Sequence, residues 1–324
     1  MRRYLNGTEL PISMAVFLAT DNYDYEDHTL STTSLIKPVR QTILSSRIPP
    51  EDQLLDVSGM VKSRMGSAIH DAIERSWLDN HKTALQSLGY PNRMTSKVVV
   101  NPLPGELTED CIPVYLEKRS YKEIEGFTIS GKFDFVGDGR VEDFKSTSVN
   151  TFLTGNKDED YILQGSIYRW LNPDIITQDV MAIQYLFTDW SAARVKAVEN
   201  YPPRQVQEKV LKLLPIEVTE AYIRNKLLQL KKFENASEED LPLCNDKELW
   251  RTNPVFKYYK NPEKRSRSTK NFDNKNDAYN RLVKDGNVGV VVEVPGQAIA
   301  CKYCAAFPIC SQKDALIADG SLIV

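Results

Sequence analysis

The chain has 324 residues, 41% of them hydrophobic, which is enough for one large domain with a real core and a smaller second unit. Its 41 basic and 44 acidic residues give a net charge of −3, which excludes a polycation that packages nucleic acid by charge alone. Any nucleic-acid site must therefore be local.

The first apolar run, residues 10–19, is too short to cross a bilayer and is not followed by a small-x-small cleavage site. We predict that this run is a buried strand. We accordingly expect a cytoplasmic protein with no membrane partner, located in the host cytoplasm if the chain is viral.

Two helices are predicted next. Residues 30–44 begin with hydroxyl residues suited to capping, and Pro38 must kink or restart the helix. Residues 61–77 carry His70 and Glu74 four positions apart, so both side chains can reach one cleft. A lone histidine is more often a core-edge residue with one hydrogen bond, and only later motifs favour a metal ligand here. The core stripe of the second helix comprises Ile69, Ala72, Ile73 and Trp77.

Residues 131–145, GKFDFVGDGRVEDFK, predict a β-hairpin with a Gly-rich turn, fed by antiparallel strands at 97–100 and 112–118. Because side chains alternate along a strand, Asp143 and Lys145 share a face, and Asp134 on the other strand can join them. Two carboxylates and an ammonium suit a Mg²⁺ or Mn²⁺ ion that assists phosphodiester hydrolysis. The alternative from these residues alone is a hairpin with solvated charges.

The segment 161–171 predicts a helix with Gln164 and Tyr168 together on one face, or simply an amphipathic helix with polar edge residues. A strand at 181–188 and a partner at 194–198 should complete the sheet. Helices at 205–214 and 218–233 are predicted to serve packing only.

Taken in order, these motifs resemble those of the RecB-like nucleases in the PD-(D/E)XK superfamily, over about residues 30–190. The motifs are Gly66-Ser67-Ala68-Ile69-His70, Gly131-Lys132-Phe133-Asp134, Glu142-Asp143-Phe144-Lys145, Gln164 and Tyr168.

The resemblance implies an α/β (α+β) fold, with a restriction-endonuclease-like core of helices around a mixed central sheet in residues 1–236. It implies a Mg²⁺- or Mn²⁺-dependent DNA nuclease, with Lys145 serving the nucleophilic water and Gln164 and Tyr168 bordering the site. The implied ligands are His70, Asp134, Asp143 and the Phe144 carbonyl. Some relatives carry an auxiliary acid where Glu117 lies, although an exposed strand glutamate is the commoner case.

By the same resemblance, the chain is an exonuclease of replication, recombination or repair, including phage systems. Its partners would be DNA and a helicase or a recombination or replication protein. One alternative is a catalytically silent nuclease-fold protein that binds DNA or assists assembly. Another is a metal-clamped module without any DNA role.

The segment 257–270 places six basic residues in fourteen positions and interleaves two tyrosines. This composition suits a grip on a phosphate backbone with base stacking, although a solvated loop has the same composition. A helix at 276–284 and a strand at 288–294 are predicted to follow. The candidate DNA-binding residues are Lys257, Tyr258, Lys260, Lys264, Arg265, Arg267 and Lys270.

Five cysteines in a cytoplasmic chain do not indicate a disulfide framework. Cys301, Cys304 and Cys310 form a tight triplet, and Cys244 supplies a fourth thiolate for zinc or a 4Fe–4S cluster in a C-terminal module, residues 237–324. The triplet is similar to that of the iron–sulfur RecB-like nucleases, which include AddB-type and CRISPR-adaptation nucleases and have a first ligand in an N-terminal helix. This chain has no cysteine there. An iron–sulfur cluster is preferred over zinc, and Cys111 is predicted to be a free buried thiol and the fallback ligand.

Overall fold

The computed structural model describes residues 3–21, 26, 28–49 and 52–324, and the chain divides into two units. Unit 1 contains Met1–Ile36 and Leu54–Leu228, whereas unit 2 contains Lys37–Gln53 and Gln229–Val324. The predicted boundary lay at residue 236, so the observed division differs in two ways. It falls about two turns of helix earlier, and residues 37–53 of the N-terminal part belong to the C-terminal unit.

The elements are given in chain order. The helices are α1 (Ile12–Ala19), α2 (Thr32–Ile36), α3 (Val39–Ser46), α4 (Val61–Ser87), α5 (Asn92–Thr95), α6 (Val149–Thr154), α7 (Asp158–Leu171), α8 (Ala192–Val195), α9 (Ile216–Phe233), α10 (Lys275–Lys284) and α11 (Ser311–Ala318). The strands are β1 (Arg3–Leu5), β2 (Thr29–Ser31), β3 (Leu54–Asp56), β4 (Val98–Val100), β5 (Ile112–Ile124), β6 (Phe127–Gly137), β7 (Arg140–Thr147), β8 (Val180–Phe187), β9 (Val206–Lys212), β10 (Val255–Tyr259), β11 (Lys270–Phe272) and β12 (Val290–Val294).

None of the helices in the described ranges is both long enough and apolar enough to span a membrane.

The main sheet of unit 1 has seven strands in the order β4-β5-β6-β7-β8-β9, with β2 alongside β6. Strand β5 pairs antiparallel with β6, β6 with β7 and β8 with β9, whereas β4–β5, β7–β8 and β2–β6 are parallel pairs. The prediction of a mixed central sheet flanked by helices is confirmed. The parallel β4–β5 pair replaces the antiparallel one that was predicted.

The predicted hairpin is present as β6 and β7. Its two-residue turn is Asp138-Gly139, with φ of 52° and 74°. Two consecutive positive φ angles are those of a type I′ turn, whose twist matches paired strands, and Asp-Gly is a favoured sequence for it. The turn sets the register Val136↔Val141 and so determines which side chains of the two strands face each other.

Three predicted elements are wrong. The run at 10–19 forms helix α1, because a continuous apolar run fits a helix as well as a buried strand; Ala15 and Leu18 are buried and Val16 is exposed. Residues 194–198 contribute no strand, since α8 lies there.

The predicted helix at 205–214 is instead strand β9, which pairs with β8. Its Glu and Lys side chains have helix propensity but find partners on β8 and on α7. The Gln184 amide donates to Glu208 at 2.8 Å, and Lys209 pairs with Asp158 at 2.5 Å. Tertiary pairing therefore overrides the local preference.

Helix α7 packs closely on β6 at Gly131. A Cβ atom at this position would lie 2.6 Å from Leu171 Cδ1 and 2.7 Å from Thr32 Oγ1. Around this contact, Ile167 and Trp170 of α7 are buried with Ile129 in one core cluster. Only glycine lets the helix approach the strand that carries the candidate site.

We therefore expect Gly131→Ala to destabilise the fold by about 1–3 kcal/mol, the usual cost of overpacking a filled core. Urea unfolding measures the change. Gly105→Ala is the matched control, because nothing lies within 4 Å of its Cβ position. Equal stability of the two variants would contradict the close packing at Gly131.

Unit 2 contains a small antiparallel sheet in the order β11-β10-β12, with α10 packed against it. Helix α10 is capped by Asn274, whose side chain accepts a hydrogen bond from the Asp277 N–H at 3.1 Å. The helix at 276–284 and the strand at 288–294 are thus confirmed to within two residues.

Candidate functional site

Three elements of unit 1 bring acidic and imidazole groups together. Helix α4 contributes His70, β5 contributes Glu117 and β6 contributes Asp134, and one ligand atom from each lies within 4.8 Å of the other two. All three side chains are partly buried and line a cleft of about 570 Å³. The cleft is also lined by hydroxyl groups and by the cations of Arg64, Arg119 and Lys132.

Asp134 and His70 are held by the backbone at Phe144. Pairing between β6 and β7 extends only to Phe135↔Glu142, so the Phe144 N–H is free to donate to Asp134 Oδ2 at 2.9 Å. His70 Nε2 lies 2.9 Å from the Phe144 carbonyl oxygen, and its Nδ1 lies 3.5 Å from Asp134 Oδ1. Three of the predicted ligands, counting the carbonyl, are thus in mutual contact.

Asp143 and Lys145 lie on one face of β7, as the alternation predicts, and Glu142 turns the other way toward Arg140 and Gln184. Lys145 Nζ lies 2.5 Å from Asp143 Oδ2. That oxygen is fully buried and has no directed hydrogen-bond partner in the described part of the chain. The Lys145 ammonium therefore provides the charge that balances this buried carboxylate oxygen.

Electrostatics separate the two aspartates. Burial acts to raise the pKa of Asp134, but the hydrogen bond and charge of His70, together with Lys145, outweigh it and hold that pKa below its ordinary value. Burial, with the Asp134 charge, raises the pKa of Asp143 to about 6 despite Lys145. Burial acts to lower the pKa of Lys145, yet the two carboxylates raise it, so the ammonium is charged at neutral pH.

Helix α7 supports Asp143 through the predicted pair. The Gln164 amide nitrogen lies 3.3 Å from Asp143 Oδ1 and 2.8 Å from the hydroxyl of Tyr168. Tyr168 is buried against Phe133. Gln164 therefore contacts the acid directly, and Tyr168 acts through Gln164.

Glu117 also belongs to the site, although the sequence favoured an exposed strand glutamate at this position. Its φ of 48° is unusual for a non-glycine residue inside a strand, and β5 continues its register on both sides, at Leu116 and Lys118. Burial raises the pKa of Glu117, and Lys132 Nζ lies 2.5 Å from its carboxylate. A two-residue alternation offers no signal for this local change of backbone, which only the structure reveals.

The donor set fits a hard divalent cation. Carboxylates of Asp134, Asp143 and Glu117, a backbone carbonyl and one imidazole are the ligands that Mg²⁺ or Mn²⁺ accepts. The convergence of ligand atoms from His70, Glu117 and Asp134 within 4.8 Å of one another supports the same fit. Without a cation, a protonated His70 bridges the Phe144 carbonyl and Asp134.

This bridge predicts a pH dependence of the metal-free protein. Burial acts to lower the pKa of His70, but Asp134 raises it to about 9, from 6.5 in the unfolded chain. The resulting stabilisation is complete below pH 6.5 and is lost as the pH rises through about 9. We expect unfolding free energy in chelator to fall across this window by at most about 1.4 kcal/mol per pH unit.

Urea unfolding between pH 6.5 and 9 measures this slope, with His70→Gln as the control because its amide does not titrate. The raised pKa of Asp143, about 6, lies below this pH window, so the slope is not attributed to Asp143. Identical slopes for the two proteins would contradict the His70–Asp134 pairing.

The four predicted cysteine ligands all belong to unit 2 and influence one another. Burial raises the pKa of the Cys244 thiol to about 12, with further contributions from Glu248 and the charges of Cys310, Cys304 and Cys301. Cys244 is fixed by its backbone: its N–H donates to Gln312 Oε1 at 2.9 Å, and Gln312 Nε2 donates to its carbonyl at 2.8 Å.

Cys111 belongs to unit 1, just before β5, and is only partly buried. The prediction that this thiol is buried is therefore wrong, since it is buried only in part. The reason is that the residue lies at the end of the sheet rather than inside it.

The basic segment forms β10, β11 and the loop between them. Five of its six cations are exposed and Lys257 is partly buried. Tyr258, however, is fully buried, and its hydroxyl donates to Asp285 at 2.9 Å. Base stacking by Tyr258 is therefore a wrong prediction, because strand alternation turns this ring into the core of unit 2.

No protein-family model matches the chain, and no curated protein matches it by sequence. Among solved structures, the chain is similar to the crystal structure of SSO0001, at 15% identity and a TM-score of 0.40, over 73% of this chain and 95% of that one. It is also similar to the crystal structure of a phage related exonuclease from Haemophilus somnus 129PT, at 14% identity and a TM-score of 0.29, over 64% of this chain and 93% of that one.

Proposed function

We propose that this chain is a Mg²⁺- or Mn²⁺-dependent deoxyribonuclease that hydrolyses phosphodiester bonds. One observation carries the proposal: ligand atoms of His70, Glu117 and Asp134 lie within 4.8 Å of one another, beside the Asp143–Lys145 pair on the adjacent strand. An ammonium next to a carboxylate-rich cation site is the arrangement that metal-assisted attack of water on a phosphate requires.

His70, Asp134, Asp143, the Phe144 carbonyl and Glu117 would hold the cation. When bound, the cation supplies Lewis-acid stabilisation of the phosphate and lowers the pKa of a water molecule. Gln164 holds Asp143 by its Oδ1 and so keeps the other oxygen directed at the site. Tyr168 fixes the Gln164 amide in turn.

Lys145 acts as a cation in this scheme. Burial acts to lower the pKa of Lys145, but Asp143 and Asp134 raise it above its ordinary value in the metal-free protein, so the side chain is an ammonium. It can donate hydrogen bonds that orient the attacking water and can stabilise the negative charge that develops on the phosphate.

DNA is the proposed substrate, and the exposed cations of the 257–270 segment are its proposed backbone contacts. Five of them, Lys260, Lys264, Arg265, Arg267 and Lys270, are exposed. Contacts of this kind release counterions, so binding should weaken steeply with salt. An exonuclease role in recombination, replication or repair, with a helicase or similar partner, rests on the resemblance alone.

We also propose that the four cysteines hold a metal centre. The pKa of the Cys244 thiol is raised mainly by burial and further by the charges of Cys301, Cys304 and Cys310, so the four sulfurs are close enough to interact, which supports this assignment.

The test is cleavage of labelled DNA, as linear molecules and as closed circles, with Mg²⁺, Mn²⁺ or excess chelator. We expect cleavage with either ion, none with chelator, and linear molecules as the only substrate if the enzyme is an exonuclease. DNA binding without any metal-dependent cleavage would overturn the proposal and support the catalytically silent alternative.

A further inference from the structure

Arg40, on helix α3 in unit 2, is the most deeply buried arginine among the described residues, with 2% of its surface exposed. A guanidinium is always charged, and burying it is costly unless its donors and its charge are matched. The groups around Arg40 must therefore supply acceptors for its N–H donors and a balancing negative charge.

The two terminal nitrogens of Arg40 make a set of contacts, called the bracket below, that joins separate stretches of the chain. One donates to the carbonyls of Glu238 and Leu241 at 3.2 and 3.3 Å, and the other donates to Ser311 Oγ at 3.2 Å and forms an ion pair with the Glu238 carboxylate. The same carboxylate accepts hydrogen bonds from the backbone N–H and the hydroxyl of Ser311, at 3.0 and 2.9 Å. Together these contacts hold the backbone immediately after Cys310.

The remaining donor, Nε, reaches a sulfur. It lies 3.3 Å from Cys310 Sγ, within hydrogen-bonding distance. A neutral thiol is a weak acceptor, whereas a metal-bound thiolate carries charge and accepts a much stronger hydrogen bond. A rigid buried guanidinium directed at this sulfur matches a thiolate better than a thiol.

We propose that Arg40 is the positioning residue of the four-cysteine centre: it holds the Cys310 thiolate in its ligating orientation and places a fixed positive charge beside the centre. This inference rests on the proposed metal centre and is independent of the proposed nuclease activity.

The charge has a physical consequence. Four thiolates around zinc or around an oxidised 4Fe–4S core leave a net negative charge of about two inside the protein. A neighbouring cation and an N–H···S bond offset part of that cost. Outer-shell partners of this kind contribute about 10–100-fold in metal affinity. In an iron–sulfur cluster they also raise the reduction potential, because they favour the more negative reduced state.

The experiment compares the full-length protein with Arg40→Gln and Arg40→Lys. Iron, sulfide and zinc are quantified after anaerobic purification, and metal retention is then measured by competition with a chelator. We expect Arg40→Gln to lose metal about 10–100-fold more readily. Arg40→Lys should lose metal to an intermediate extent, because lysine keeps the positive charge but lacks the forked set of N–H donors of the guanidinium. With a cluster bound, the reduction potential of Arg40→Gln should be more negative.

Two further variants separate this role from a structural one. Arg47→Gln removes a second arginine of the same segment, which donates to the carbonyls of Glu234 and Ala236 and to no sulfur. Glu238→Gln weakens the bracket but keeps the Nε–H···S bond. Both should retain metal as the wild type does. If Arg40→Gln does not fold, the comparison of Arg40→Lys with Glu238→Gln carries the test.

Two outcomes would overturn the proposal. One is that the Arg40 variants lower only the unfolding stability and leave chelator competition and potential at wild-type values. The other is a wild-type protein whose cysteines hold neither iron nor zinc. DNA cleavage is not among these measurements, so failure of the nuclease proposal remains a separate result.

Discussion

We expect Asp134→Ala and Asp143→Ala each to reduce metal-dependent DNA cleavage by about three orders of magnitude. Metal ions contribute several kcal/mol of transition-state stabilisation, and every 1.36 kcal/mol corresponds to about tenfold in rate. Asp134 lines the cleft and contacts the His70 ring, and Asp143 lies on the neighbouring strand in contact with Lys145. Losing either one removes a ligand that no neighbour can replace.

The fold should survive these changes. Burial is the main cause of the raised pKa of Asp143, about 6, and the charge of Asp134 adds to it, so removing either carboxylate removes a repulsion between the two. Circular dichroism and DNA binding in chelator should therefore remain close to wild type. This separates a lost catalytic group from a lost structure.

Glu142→Ala is the matched control. Glu142 is adjacent in sequence to Asp143 but faces away from it, where it accepts hydrogen bonds from Gln184 at 2.8 Å and Arg140 at 2.6 Å. Its removal should leave the cleavage rate nearly unchanged. Substantial Mg²⁺-dependent activity in the Asp134 or Asp143 variant, or inactivity of the Glu142 control, would show that the catalytic acids lie elsewhere.

The second large effect is expected at Cys244. Structural metal sites contribute an apparent 10–16 kcal/mol in small zinc peptides, so loss of one ligand from this centre should destabilise unit 2 by several kcal/mol. A serine oxygen is a poor ligand for a metal that prefers soft thiolates. Cys244→Ser should therefore release the metal and expose unit 2 to proteolysis and amide exchange.

Cys111→Ser is the control for this result. Cys111 belongs to unit 1, and the other four cysteines share unit 2. Its replacement should change neither the metal content nor the protection of residues 229–324. Metal loss from Cys111→Ser combined with metal retention in Cys244→Ser would identify Cys111 as the fourth ligand.

The sequence alone determined the parts of this protein that depend on short-range periodicity. A Gly-rich turn within residues 136–139, the alternation that places Asp143 and Lys145 on one face, and the four-residue spacing of Gln164 and Tyr168 all follow from local backbone geometry. Each was found where the pattern placed it. Hence the central hairpin and its charges were predictable.

Helix and strand identity failed where local preference and tertiary pairing disagreed. Residues 206–212 are rich in helix formers but form an edge strand. They do so because β8 pairs with them along its length and because Asp158 forms an ion pair with Lys209. The apolar run of α1 has no strand neighbour and forms a helix. Periodicity cannot distinguish these outcomes, since it does not report which elements are adjacent in space.

Long-range contacts decided the remaining residues of the two sites. Glu117 joins His70 and Asp134 because the pairing of β5 with β6 places it opposite Asp134 and α4 brings His70 to the same point. Tyr258 leaves the proposed DNA surface because its strand turns it inward. Arg40 reaches Cys310 across 270 residues of sequence, a contact that only folding of unit 2 can create, because a buried charge takes its position from whichever distant groups can satisfy it.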